Sequence, residues 1–207
     1  FGILFSGLNI MSAAMQPLAQ SEAFAQIMLK VADVPVLGII AGALMTTLVQ
    51  SSSASIAVLQ KLAATPVYAG AAHGLIGIAG AIPILFGTNI GSTTTALIAS
   101  IGGTTNAKRT ALSHFTFNVV GTMIFIWFTP IIADFVTMIS PTGDEVDVIS
   151  RQIANAHLTF NVATTIVFLP IVGLLAKFVT KMIPEKEKDI DPLKPIYLDY
   201  RVLEQPF

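Results

Sequence analysis

Four long intervals of this chain contain no aspartate, glutamate, lysine or arginine. They lie between Asp33 and Lys61, between Lys61 and Lys108, between Arg109 and Asp134, and between Arg151 and Lys177. Each is longer than the roughly 20 residues a helix needs to cross a bilayer core. In hydrocarbon every backbone amide must find its partner within the segment, so such intervals become helices or parts of a closed barrel. Only 11% of the residues are charged and 54% are hydrophobic, far from the roughly 25% charge of a soluble domain. The chain therefore reads as an all-α polytopic membrane protein.

A net charge of −1 gives no sign of a nucleic-acid partner. Without cysteine, disulfides, thiolate metal sites and thiol catalysis are excluded. The serines lack the setting of a hydrolase nucleophile, and no metal-ligand cluster or phosphate-loop glycine pattern is present. The reading is accordingly a transport protein rather than an enzyme, with no organic cofactor. Phe1 opens inside an apolar run with no signal-peptide features, which predicts a piece of a longer protein.

Residues 1–18 predict a first span, and 19–33, with Glu22, Lys30 and Asp33, a short amphipathic helix at the interface. In 34–64 an apolar arm, Val34–Val49, leads into Gln50-Ser51-Ser52-Ser53, and a second arm, Ala54–Ala64, follows. At 1.5 Å per residue the arms are roughly 24 Å and 16 Å long, the second well short of a ~30 Å hydrocarbon core. Two structures fit. One is a re-entrant hairpin with its tip at the serines, at mid-membrane depth; the other is a continuous helix over 34–60 with a serine-rich packing face.

Residues 66–104 repeat the pattern. Val67–Phe86 is interrupted by Gly87-Thr88-Asn89-Ile90-Gly91, after which Ser92-Thr93-Thr94-Thr95 opens a second apolar run. Glycine weakens helices and Ser or Thr caps them, so a broken helix is expected here. Two further spans, 110–133 and 155–176, flank an acidic loop with Asp144, Glu145 and Asp147. The positive-inside rule puts Lys108-Arg109 and Lys177/Lys181 in the cytoplasm and the acidic loop outside. Residues 1–183 form the membrane domain, and 184–207 a charged cytoplasmic linker.

Ser113-His114-Phe115-Thr116-Phe117-Asn118-Val119 recurs 43 residues later as Ala156-His157-Leu158-Thr159-Phe160-Asn161-Val162. Hydrogen bonding between two similar helices is the expected role of these polar groups, ahead of ligand contact. His73 reads as a packing or interfacial histidine.

Two unwound hydroxyl-rich points suit ion transport. Ser51 to Ser53 and Ser92 to Thr95, at helix N-termini, present donors and about half a positive charge to an oxyanion. Carbonyls near Val49 and Gly87, with oxygens from Gln50, Thr88 and Asn89, suit Na+, a recurring plan in secondary transporters.

Gln50-Ser51-Ser52-Ser53-Ala54 followed by Gly87-Thr88-Asn89-Ile90-Gly91-Ser92-Thr93-Thr94-Thr95-Ala96 resembles the paired signature of the type II sodium/phosphate cotransporters and their bacterial relatives. Asn155-Ala156-His157 with Phe160-Asn161, and Tyr197-Leu198-Asp199, look like the end of the bacterial membrane domain, which a cytoplasmic regulatory domain often follows. The resemblance implies two inverted repeats, each with a hairpin and a broken helix. Phosphate ligands would be Gln50, Ser51, Ser52, Ser53, Ser92, Thr93 and Thr95. Sodium ligands would be Gln50, Ser53, Thr88, Asn89 and Thr94, with Na+ as the coupling ion. Ser92 stands where threonine is usual.

Only one copy of each motif is present, so the chain looks like the second repeat. The missing N-terminal repeat or a second chain would then complete the site. The implied function is sodium-coupled phosphate symport by alternating access, in the cell (inner or plasma) membrane. The alternatives are the same architecture moving sulfate or a dicarboxylate, a channel, and a non-transporting assembly module.

Overall fold

The computed structural model describes residues 2–3, 6–7, 10, 30–66 and 71–185. Most of the predicted first span, of the predicted interfacial helix and of the predicted linker lies outside these; residues 30–33 are helical. Seven α-helices follow among the described residues: α1 (Pro35–Val49), α2 (Ser52–Ala63), α3 (Ile78–Ala99), α4 (Thr105–Phe125), α5 (Thr129–Ile139), α6 (Glu145–Phe168) and α7 (Val172–Met182).

Helix α4 passes into α5, and α6 into α7, through single 3-10 turns at Ile126–Phe128 and Leu169–Ile171. Pro130 follows the first turn and Pro170 sits in the second. A proline lacks the amide hydrogen and crowds the carbonyl one turn back, which tightens each helix locally without ending it. The two long helices cover Thr105–Ile139 and Glu145–Met182, and with Ile78–Ala99 they are the three helices among the described residues long and apolar enough to cross a membrane. The predicted spans 110–133 and 155–176 lie inside these longer helices.

Helices α4 and α6 run antiparallel. Phe117 stacks near Phe168 with ring centroids 4.8 Å apart, and Phe125 near Phe160 at 5.8 Å. Between them Gly121 lies against the Thr164 side chain. Four residues forward on one helix match four backward on the other. At the far end the Arg109 Nε–H donates to the Ile183 carbonyl at 2.9 Å, which places Lys108-Arg109 beside the end of α7. At the opposite end Glu145 and Asp147 occupy the first turn of α6, where they complement the helix dipole. His73 is exposed in the loop before α3, its Nδ1 3.2 Å from Glu145 Oε2; it does not pack.

The buried core joins α2, α3, α5 and the first half of α6, through Leu59, Leu85, Phe86, Val136, Ile149, Ile153 and Phe160. Gln60 Nε2 donates to the Ser150 carbonyl at 2.8 Å, tying α2 to α6.

Candidate functional site

The first motif segment is organised by one backbone dihedral. Helix α1 ends at Gln50, whose φ of 54° and ψ of 25° make it left-handed, the one non-glycine residue with positive φ among the described residues. Its amide donates to the Thr46 carbonyl at 2.7 Å, closing the helix in the way an αL cap does. Ser51 is extended and caps α2, its Oγ accepting from the Ala54 amide at 3.3 Å. A single straight helix over 34–60 is therefore excluded. The first amides of a helix have no intrahelical acceptor, so those of Ser52 and Ser53 point past the N-terminus of α2. Gln50, Ser51 and Ser53 are exposed and Ser52 is half-buried.

The second segment departs from expectation. Gly87 to Thr95 lie inside one unbroken helix, α3, which runs from Ile78 to Ala99. The expected broken helix is not formed, and Ser92–Thr95 do not cap a second half-helix. The Ser92 hydroxyl donates to the Asn89 carbonyl at 2.7 Å, Thr93 to Ile90 at 2.7 Å and Thr88 to Leu85 at 2.8 Å. The carbonyl expected to be freed near Gly87 stays in the helix.

The glycines serve helix packing instead. A Cβ on Gly87 would lie 2.8 Å from the Ala43 nitrogen, one on Gly91 2.9 Å from Thr46 Cβ, and one on Gly42 3.0 Å from the Thr88 nitrogen. Gly38 and Gly42 on α1 meet Pro83 to Thr88 of α3, and Gly87 and Gly91 on α3 meet Ile39 to Thr46 of α1, two small-xxx-small pairs of the kind that let membrane helices approach closely. The contacts ascend together, from Ala32 against Gly80 to Thr47 against Thr94, so α1 and α3 run parallel.

This register brings the two motifs together. Thr47 Oγ1 and Thr94 Oγ1 are 3.1 Å apart, and Gln50 follows Thr47 by less than one turn. Ser92 and Thr94 are half-buried, Thr95 is exposed, and Thr88, Asn89 and Thr93 are buried. Extended past Thr47, the register sets Gln50 beside the last turns of α3 rather than beside its middle. The middle of α3 holds Thr88 and Asn89.

Asn89 also reaches across to α6. The His157 Nε2–H donates to Asn89 Oδ1 at 3.2 Å, while Asn89 Nδ2 is buried with no hydrogen-bond partner among the described residues. Thr46 Oγ1 and Ser55 Oγ share that condition, as do Thr122 and Thr164 where α4 meets α6. A serine or threonine hydroxyl rotates readily to its own i−4 carbonyl; an amide nitrogen already committed by its oxygen does not. The two repeated motifs do not bond to each other. Asn118 donates to the His114 carbonyl at 3.0 Å and Asn161 to the His157 carbonyl at 2.7 Å, the same local bond twice. Only His157 gains a partner on another helix; His114 is exposed.

Removing the His157 donor leaves a buried amide oxygen unpaired, at a cost of about 1–3 kcal/mol. His157→Leu is therefore expected to lower the thermal midpoint in detergent, while His114→Leu at an exposed site stays within about 0.5 kcal/mol. Equal effects would show that the His157–Asn89 bond carries no weight. Thr46, Thr47 and Ser55 are the site neighbours that motif reading passed over; His157, expected to hydrogen-bond between helices, does so to Asn89. The recurrence of His157 within the repeat was the one available signal.

A family model described as Na+/Pi-cotransporter matches residues 3–143. Among curated proteins, the uncharacterized protein YqeW of Bacillus subtilis (strain 168) is 30% identical over 140 residues, covering 68% of this chain and 43% of that protein. Sodium-dependent phosphate transport protein 2B of Homo sapiens is 41% identical over 96 residues, 44% of this chain and 12% of that protein. Sodium-dependent phosphate transport protein 2C of Homo sapiens is 38% identical over 96 residues, 44% of this chain and 14% of that protein. The chain thus spans less than half the length of these relatives. No solved structure matches it.

Proposed function

The chain belongs to the Na+/Pi-cotransporter family, and on that premise we propose that it supplies one half of a sodium-coupled phosphate symporter working by alternating access. The family is one of transport proteins, not enzymes, and three membrane-length helices fit an integral membrane protein.

The observation that carries this reading is the break at Gln50. Helices α1 and α2, of 15 and 12 residues, are roughly 22 Å and 18 Å long, each short of a ~30 Å hydrocarbon core. They form a re-entrant hairpin whose ends lie on the His73–Glu145 side and whose tip reaches toward the basic ends of α4 and α7. The tip lies beside the last turns of α3 and not at mid-depth, and its exposed Gln50, Ser51 and Ser53 need protein or a polar cavity to cover them wherever they lie within hydrocarbon. By the positive-inside rule the basic side is cytoplasmic, and the tail from 184 emerges there.

At the tip, the N-terminus of α2 offers the amides of Ser52 and Ser53 and the hydroxyls of Ser51–Ser53 to phosphate. Ser92, Thr93 and Thr95 approach from the neighbouring turns of α3. Sodium ions take oxygens at two levels, from Gln50, Ser53 and Thr94 at the tip and from Thr88 and Asn89 in the middle of α3, and their charge offsets that of the anion. The second half of the site comes from an inverted repeat, in the missing N-terminal half or a second chain.

The test is uptake of labelled phosphate into proteoliposomes containing the full protein. Uptake is expected to require an inward Na+ gradient, to run uphill, and to resist excess sulfate. Sodium-independent uptake, or equal competition by sulfate, would sink the proposal. Each hydroxyl bound to a charged ligand contributes about 1.5–3 kcal/mol, so Ser52→Ala and Thr95→Ala should each raise the phosphate KM about 10- to 100-fold. An unchanged KM in both would favour a packing role for the hydroxyls.

A further inference from the structure

Away from both motifs, an apolar groove of about 390 Å3 lies between α4 and α7, walled by Thr116 and Val120 on one side and Ile171, Leu174 and Phe178 on the other. Both helices belong to membrane-length segments, and Leu174, with 67% of its surface exposed, faces outward here. The groove has a charged end. Helical neighbours recur at three, four and seven residues. Seven residues before Thr116 on α4 stands Arg109; seven after Leu174 on α7 stands Lys181. The helices are antiparallel, and the Arg109 Nε–H donates to the Ile183 carbonyl at 2.9 Å. Both cations therefore sit at the same mouth of the groove, flanked by Lys108 and Lys177.

Residues 104–116 hold no carboxylate, and 177–185 hold only Glu185, so four cations face one described acid. Arg109 spends Nε on the Ile183 carbonyl and turns Nη1 to Asn106 Oδ1 at 3.4 Å, and its Nη2 has no acceptor among the described residues.

The geometry points to a binding site for one anionic glycerophospholipid, its acyl chain in the α4–α7 groove and its phosphodiester on Arg109 and Lys181. A groove lined almost wholly by apolar surface selects a hydrocarbon chain, and a basic mouth at the membrane surface selects a negative headgroup. Neither part uses Gln50–Ser53 or Ser92–Thr95, so the site is independent of the transport reading.

Native mass spectrometry of the full chain in mild detergent tests this. The probes are phosphatidylglycerol, phosphatidylcholine with the same acyl chains, and inorganic phosphate. Phosphatidylglycerol is expected to be retained more tightly than phosphatidylcholine. Lys181→Gln, at an exposed position, should weaken phosphatidylglycerol about fivefold, since each surface cation contributes about that factor, and should weaken phosphatidylcholine, whose choline offsets the charge of the same phosphodiester, by less. Val120→Trp should fill the groove and lower retention of both lipids. Equal retention of the two lipids overturns the proposal, as does displacement of phosphatidylglycerol by equimolar inorganic phosphate. So do binding that emerges only once residues 186–207 are removed, which would assign the mouth to the chain's own tail, and lipid loss on dimer formation.

Discussion

Gly87→Ala is expected to destabilise the chain by about 2–3 kcal/mol, the usual cost of forcing a methyl group into packed structure. The added Cβ would lie 2.8 Å from both the Ala43 nitrogen and the Ile39 carbonyl carbon. Those atoms are backbone in the middle of α1, so the helix as a whole has to move. For a chain of this length the loss corresponds to a fall in thermal midpoint of about 4–12 °C. Gly42→Ala, facing the Thr88 nitrogen at 3.0 Å, should behave in the same way. Gly173→Ala in α7 meets nothing within 4 Å and should gain a few tenths to about 1 kcal/mol from helix propensity alone. The sign of the Gly87 effect is decisive. If Gly87 were present to loosen a broken helix, alanine would strengthen that helix by about 1 kcal/mol and the midpoint would rise. A rise at Gly87 would therefore overturn the parallel packing of α1 on α3, and with it the contact between Thr47 and Thr94.

That ambiguity explains where sequence reading succeeded and where it failed. Charge-free intervals force helices wherever they fall, so the all-α membrane architecture is legible from Asp33, Lys61, Lys108 and Arg109 alone. The break at Gln50 is only half legible: three consecutive serines supply an N-cap and compete with the helix behind them, but a continuous helix over 34–60 fits the same residues, and only the left-handed Gln50 decides between the two. The segment Gly87 to Thr95 looks alike on the page and folds differently. Glycine both weakens a helix and permits close approach, and one segment read alone does not say which role applies. The discriminating signal is relational: Gly38 and Gly42 stand four apart, as do Gly87 and Gly91, and matched pairs mark two helices in contact. The hydroxyls of Ser92 and Thr93, read as caps, and of Thr88, read as a sodium ligand, instead turn back to carbonyls of their own helix. The repeat of His114 and His157 dictates identical local bonds, but partner helices decide that only His157 meets Asn89. No local pattern encodes that choice.

Gln50→Gly should separate backbone from chemistry at the proposed site. A non-glycine residue in the left-handed region costs about 1–2 kcal/mol, and glycine recovers most of it, less the roughly 0.5–1 kcal/mol of extra chain entropy it loses on folding. The variant should thus be as stable as the parent or more so by up to about 1 kcal/mol, with the α1–α2 break intact. A chain needing only a turn between Val49 and Ser51 would be better served by glycine. That a long amide stands there, exposed and at φ 54°, motivates a functional role for the side chain, since strain held at one residue commonly marks a site. If Gln50 Oε1 is a sodium ligand, Gln50→Gly will cut sodium-driven phosphate uptake by about 10- to 100-fold, the loss of one charge-assisted contact of roughly 1.5–3 kcal/mol. The Na+ concentration for half-maximal uptake should rise more than the phosphate KM does, whereas a purely anionic contact would move the two in the opposite order. Gln50→Ala retains the backbone strain and removes the amide, so it should match glycine in uptake and fall below it in thermal midpoint. Full uptake by Gln50→Gly would reduce Gln50 to a helix cap and leave the sodium site to Asn89, Thr88 and Thr94.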